Sequence, residues 1–156
     1  LEDKIIAEIT ITEDVAQVTI TVDKNGNPIN IINGDSFIVE MEVEYVDAVD
    51  NLGRSGWRIN DNSGGIYRRA SLATNYMSSI ASNQLYIKTK WMMSLFNSDL
   101  NGINMTINSA DKLSYASSTA NAWTIGLATE NISRFDFVVQ NTDSFKAGSK
   151  FIIKKV

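Results

Sequence analysis

Between Phe37 and Val46 the chain alternates without a break: Phe37, Val39, Met41, Val43 and Tyr45 interleave with Ile38, Glu40, Glu42, Glu44 and Val46. A period of two is that of a strand with one packed face and one wet face. On a helix the same residues would scatter apolar groups around the whole circumference. The segment reads as a strand whose wet face carries the three glutamates.

The pattern recurs along the chain. Residues 4–12 and 15–22 are rich in Ile, Val and Thr, the β-branched types that suit a pleated surface. Residues 84–96 alternate Leu85, Ile87, Thr89, Trp91, Met93 and Leu95 against Tyr86, Lys88, Lys90, Met92 and Ser94, which makes Trp91 a core residue. Shorter strands are expected over 103–108, 122–127, 132–140 and 150–156. Asp23-Lys24-Asn25-Gly26-Asn27-Pro28 is dense turn chemistry, with Asn-Gly supplying the positive φ of a tight hairpin.

About nine short strands without a helical stripe give an all-β fold, a sandwich or barrel with little or no helix. Residues 71–82 leave room for a short helix but read better as an irregular loop. The polar stretches 50–56 and 114–121 also read as loops. With 156 residues and 44% hydrophobic content, the expectation is a single domain over 1–156. The start lacks a Met and the basic and apolar segments of a signal peptide, so the chain is expected to be a piece of a longer protein.

Charge and residue types narrow the chemistry. A net charge of −4 argues against nucleic acid as a partner, which needs a basic footprint. No run is long and apolar enough for membrane insertion. There is no cysteine and no histidine. Ser-His-Asp and Cys-His catalysis, thiolate zinc sites and histidine metal ligands are thereby excluded. No glycine-rich phosphate loop is present, and no cofactor is expected. Paired carboxylates could still hydrolyse a glycoside. However, Glu40, Glu42 and Glu44 read as a solvated face, and Asp47 and Asp50 as turn residues. Asn60-Asp61-Asn62-Ser63-Gly64-Gly65 carries oxygens suited to calcium but not the EF-hand spacing, and reads as a polar turn. No catalytic residue is expected, and no metal ligand.

Aromatic side chains are the remaining lead. Sugar rings stack apolar faces on aromatic planes, and their hydroxyls need Asn, Asp, Arg and Gln partners. Both kinds concentrate between residues 57 and 76. Trp57, Tyr67 and Tyr76 are the candidate stacking surfaces, and Arg58, Asn60, Asp61, Arg68 and Arg69 the candidate hydrogen-bonding groups. The competing reading makes Trp57 and Tyr67 core or loop anchors, as large aromatics usually are.

The segment Trp57-Arg58-Ile59-Asn60-Asp61-Asn62-Ser63-Gly64-Gly65-Ile66-Tyr67-Arg68-Arg69 resembles a segment of jelly-roll domains in bacteriophage tail and baseplate proteins. Ile132-Ser133-Arg134-Phe135-Asp136-Phe137, followed by Phe145-Lys146-Ala147-Gly148-Ser149-Lys150-Phe151-Ile152-Ile153, is similar to their closing hairpin. Lys154-Lys155 departs from the family, which usually has Tyr-Gly there. The resemblance implies an antiparallel jelly-roll β-sandwich and a non-catalytic carbohydrate-binding module. Such a module sits on the virion, in the phage tail, and acts outside the cell. Its implied partners are a cell-surface or cell-wall glycan and other tail or baseplate subunits. It equally carries an alternative, a structural or assembly domain of the tail without glycan binding.

Overall fold

The structure, a computed structural model, describes residues 4–47, 55–61, 67–69, 72–74, 78–80, 85–94, 96–98, 102–109, 120–125, 131–139 and 143–156. Side chains are described within 4–47, 55–61, 85–92, 131–139 and 143–156. Thirteen strands follow in chain order: β1 Lys4–Thr10, β2 Gln17–Ile20, β3 Ser36–Glu44, β4 Ser55–Ile59, β5 Tyr67–Arg69, β6 Leu72–Thr74, β7 Ser78–Ile80, β8 Tyr86–Ser94, β9 Phe96–Ser98, β10 Gly102–Ser109, β11 Ala120–Ile125, β12 Phe135–Val139 and β13 Lys150–Lys155. There is no helix among the described residues, and all strand pairs are antiparallel. The all-β architecture read from the alternation is the one observed.

Two sheets form. The larger runs β1-β13-β3-β8-β10-β11-β5-β6 with β9 added beside β10, and the smaller runs β2-β12-β4-β7. Setting aside β5, β6 and β9 to β11, eight strands remain. Renumbered in chain order they read 1-8-3-6 and 2-7-4-5, so the two ends of the chain interleave in both sheets. The five other strands are insertions, β5 and β6 after β4, and β9 to β11 after β8. All five extend the large sheet beyond β8.

Three local expectations are corrected, one of them being that Ala120 and Asn121, read as the end of a loop, open β11. Residues 72–74 and 78–80 are strands, not part of an irregular loop, and Ser55 and Gly56 open β4 instead of closing a loop. Neither stretch has strong strand propensity of its own. Register decides: Ser55 lies opposite Val139 and Ile80, and Gly56 opposite Val138 and Ser79. Placement between two partners outweighs a weak intrinsic preference.

The core lies between the sheets. Phe37, Val39, Met41 and Val43 of β3 are buried and face Phe135, Phe137 and Val139 of β12 across the sandwich, while Glu40, Glu42 and Glu44 stay partly exposed. Aromatic rings cross the layer. Trp57 of β4 meets Trp91 of β8 at 6.0 Å between centroids, and Phe135 at 6.1 Å. Phe137, Phe151, Phe145 and Tyr45 continue the row, with successive centroids 4.8, 5.0 and 5.9 Å apart. Edge-to-face and tilted pairs of this kind add to the area they bury.

The turn expected after β2 forms, but of the Asn-Gly pair only Gly26 has a positive φ. Gly26 takes a φ of +82°, and the Asp23 carboxylate accepts the amides of Asn25 and Asn27 at 2.8 and 2.9 Å. Those bonds, the Asn27 amide foremost, hold Asp23 below the usual carboxylate range.

A second aspartate ties the carboxyl end of the chain to the turn before β3. Asp35 accepts the Ile32 amide and the Lys155 ammonium, each at 2.9 Å. Burial pushes its pKa up, but the Ile32 amide and Lys155 together outweigh burial and hold it below 3.8. A depressed folded-state pKa adds stability above the unfolded value, and that stability is lost as pH falls through the folded value. Asp35→Asn is therefore expected to cost about 1 kcal/mol at neutral pH, a modest value because Lys155 is solvent-screened. Urea midpoints of the two proteins should converge as pH drops below roughly 4. A difference that persisted unchanged at lower pH would rule out the charge as its source.

Candidate functional site

One end of the small sheet gathers polar side chains from three connections. It begins where β4 stops. After Ile59, Asn60 and Asp61 adopt left-handed φ values of +52° and +58°. Among residues with a Cβ, Asn and Asp tolerate that region best. Asn60 fastens this turn. Its backbone amide donates to the Arg134 carbonyl at 2.9 Å, its Nδ2 donates to the Asn131 carbonyl at 2.9 Å, and its Oδ1 accepts the Ser133 amide at 2.9 Å. The Asn60 amide group is thus a brace.

A second clamp lies alongside. Ile31 and Ile132 exchange both backbone hydrogen bonds at 2.9 Å, and both side chains are fully buried. Neighbouring residues alternate in direction on such a bridge, so the exposed Asn30 and Asn131 point to solvent. The outcome is an open depression of about 620 Å³ walled by Asn30, Asn60, Asp61, Asn131, Ser133 and Arg134.

Arg134 links this depression to the outer face of the small sheet. Its Nε donates to Asp136 at 2.9 and 3.1 Å, and its terminal nitrogen lies 3.4 Å from Asp61. Asp136, only 1% exposed, also accepts the Thr19 hydroxyl at 2.6 Å and the Gln17 amide at 3.1 Å. The hydrogen bond to Asp136 raises the Arg134 pKa further above an already high value; slight burial opposes this, and the charges of Asp136 and Asp61 reinforce it. Arg134 is a permanent cation, oriented from behind by one carboxylate and flanked in front by another.

The residues expected from sequence divide. Asp61 walls the depression with a side chain 72% exposed, and Asn60 builds its frame. Arg58 sits half-buried on β4, directly across from Asp136. Trp57 is a correction: at 0% exposure its ring offers no face to a ligand and belongs to the core. Tyr67, Arg68 and Arg69 form β5, which pairs with β11 in the large sheet, whereas Trp57 and Arg58 lie in the small one. Their side chains, and all of Tyr76, lie outside the described residues. Between β4 and β5 the chain therefore passes from the small sheet to the large one. Asn30, Asn131, Ser133 and Arg134 were not anticipated. Their signal was the alternation Ile29-Asn30-Ile31 and Asn131-Ile132-Ser133, polar residues at outward positions beside buried isoleucines.

A smaller pocket of about 300 Å³ lies on the large sheet, lined by Glu40, Met41, Glu42, Lys88, Thr89, Lys90 and Ile152. Its acids are engaged. Glu40 takes Lys154 at 2.9 Å and Lys90 at 3.7 Å, and Glu42 accepts the Tyr86 hydroxyl at 2.7 Å. These pairs describe a solvated, cross-linked face. Among the described residues no set of three acidic side chains converges as a metal site would require. Of the 60–65 stretch weighed for calcium, Asn60 has its side-chain oxygen turned to Ser133, and residues 62–65 lie outside the described residues.

No family model matches the chain, and no curated protein matches it. Among solved structures it is similar to the CBM2 module of the evolved Dit of Lactobacillus casei BL23 phage J-1, at 12% identity and a TM-score of 0.36, over 97% of this chain and 74% of that one.

Proposed function

We propose that the chain is a non-catalytic carbohydrate-binding module of jelly-roll topology, borne on a phage tail or baseplate protein and directed at host cell-wall polysaccharide. The observation that carries the binding reading is the depression at the Asn60–Asp61 turn. Its exposed groups are amides, a carboxylate, a hydroxyl and a guanidinium, the partners that a hydroxyl-rich ligand needs. They stand on connections fixed to a rigid sandwich, the usual placement of binding residues. The interleaved order 1-8-3-6 and 2-7-4-5 is what two wrapped Greek keys produce, and it supports the jelly-roll assignment. The phage setting rests on the resemblance of the segments 57–69 and 132–153 to tail jelly-roll domains.

A shallow site of this kind binds one sugar weakly. Many copies on one particle would turn modest affinity into avidity. Tyr67, Arg68, Arg69 and Tyr76 remain proposed contacts along the same glycan. The burial of Trp57 favours a second reading, a structural or assembly domain of the tail, because it removes one expected stacking surface.

A glycan array and a pull-down with host cell walls separate the two. The expected result is a signal that Asn30→Ala combined with Asn131→Ala lowers by roughly tenfold, as loss of two hydrogen-bonding side chains predicts. A folded protein that retained nothing on any wall preparation, yet joined tail subunits, would leave the assembly reading. Polysaccharide incubated with the protein should yield no new reducing ends.

A further inference from the structure

We infer that the depression at the Asn60–Asp61 turn selects neutral saccharides, through an unsubstituted pair of adjacent hydroxyls, over acidic or phosphate-bearing ones. This inference rests on the glycan reading of the same site and specifies its ligand class.

Arginine at a sugar site invites a phosphate or carboxylate partner, because its planar fork matches both. Here the Nε edge of that fork is taken, and a second acid flanks its terminal end. Asp136 holds Nε through both of its oxygens, and Asp61 stands 3.4 Å from the terminal nitrogen. The described charges on and directly behind the depression are Arg134 and Arg58 against Asp61 and Asp136, so no net positive charge awaits an anion. An incoming anionic group would have to share Arg134 with two fixed carboxylates. It would also approach Asp61, whose 72% exposed side chain projects into the same space. Like charges so close disfavour binding.

A neutral diol meets the opposite situation. Each hydroxyl is both donor and acceptor. Asp61 can only accept, and the terminal N–H groups of Arg134, which Asp136 does not take, can only donate, so the two present an acceptor and a donor side by side. Adjacent hydroxyls of a pyranose can satisfy both at once: one donates to Asp61 and its neighbour accepts from Arg134. The exposed amides of Asn30 and Asn131, which offer both functions, complete the rim. Asp136 acts as a positioning residue. It touches no ligand but sets the direction of the guanidinium.

The test is a titration of the chain followed by amide and side-chain NMR shifts. Glucose, galactose, mannose, rhamnose and N-acetylglucosamine are set against galacturonate and glucose 6-phosphate. At least one neutral sugar should shift the Asn30 and Asn131 side-chain amides and Arg134 Nε–H. Its affinity should be unchanged between about 0.01 and 1 M salt, across which the Debye length falls from about 30 to 3 Å. Deoxy analogues of the tightest sugar should lose binding at two neighbouring positions. Asp61→Asn, which keeps a residue suited to the left-handed turn and a carbonyl that still accepts, should weaken the neutral sugar by roughly three- to fivefold, the loss of charge assistance to one hydrogen bond. The same variant should improve the acidic sugars.

Binding of acidic sugars alone, fading with salt, would overturn this inference while leaving the glycan reading intact. Neutral-sugar binding that Asp61→Asn leaves unchanged would overturn it too, by placing the contact elsewhere. If no sugar of either class shifts any resonance and cell walls give no signal, the glycan reading itself fails and this inference fails with it.

Discussion

Trp57→Ala is expected to destabilise the fold by about 3–5 kcal/mol, the range for removing a large aromatic from a packed core. The ring is 0% exposed and lies between the sheets, touching Trp91 on one and Phe135 on the other. Trp91 and Phe135 are themselves held in paired strands, so much of the cavity penalty should persist. Trp57→Phe should cost much less. Among the described residues the buried indole Nε1 has no hydrogen-bond partner, so replacing it forfeits no polar contact there. Denaturant unfolding of both variants, read beside glycan binding, distinguishes a core tryptophan from a stacking one. A core residue shifts the unfolding midpoint and leaves the affinity of the folded fraction alone. Loss of binding at an unchanged midpoint would put the ring on the ligand.

The second large effect is expected at Asp136. Asp136→Ala removes the common acceptor of Thr19, Gln17 and Arg134. Thr19 and Gln17 are exposed and can turn to water, and Arg134 is a third exposed, so the donors are not stranded. The expected cost is about 2 kcal/mol, less than the sum of three bonds to a carboxylate because all three donors can turn to water. Asp136→Asn should cost less, because its carbonyl still accepts the threonine hydroxyl. Both variants should also lower glycan affinity, because Arg134 loses the partner that aims it. A variant that folded at wild-type stability and bound normally would show that the network does neither job.

Glu40, Glu42 and Glu44 show how much was legible. Their alternation with apolar residues needs nothing beyond the sequence, and they are found on the outer face of β3. Trp57 was legible too, by the same rule: it shares parity with the buried Ile59, while Arg58 and Asn60 take the other side. The density of aromatic and polar residues from 57 to 76 masks that parity, because nearness in sequence suggests a shared surface. Strand β5 breaks the assumption by joining the other sheet.

Asn30 and Asn131 mark the opposite limit. Each could be read as an outward residue beside a buried isoleucine, but nothing local says that they meet. Their proximity depends on the Ile31–Ile132 bridge, and that bridge depends on β12 settling between β2 and β4. Pairing between distant strands is set by total burial and register, which no short window of sequence contains.

Alternation, turn chemistry and the absence of histidine and cysteine therefore determined the all-β class, the inward faces and the chemistries ruled out, because these follow from backbone period and side-chain type alone. Which polar residues share the depression, which way Arg134 points and what balances its charge were decided only in the tertiary structure. Those properties belong to groups brought together by long-range strand pairing, and they do not exist until the sheets close.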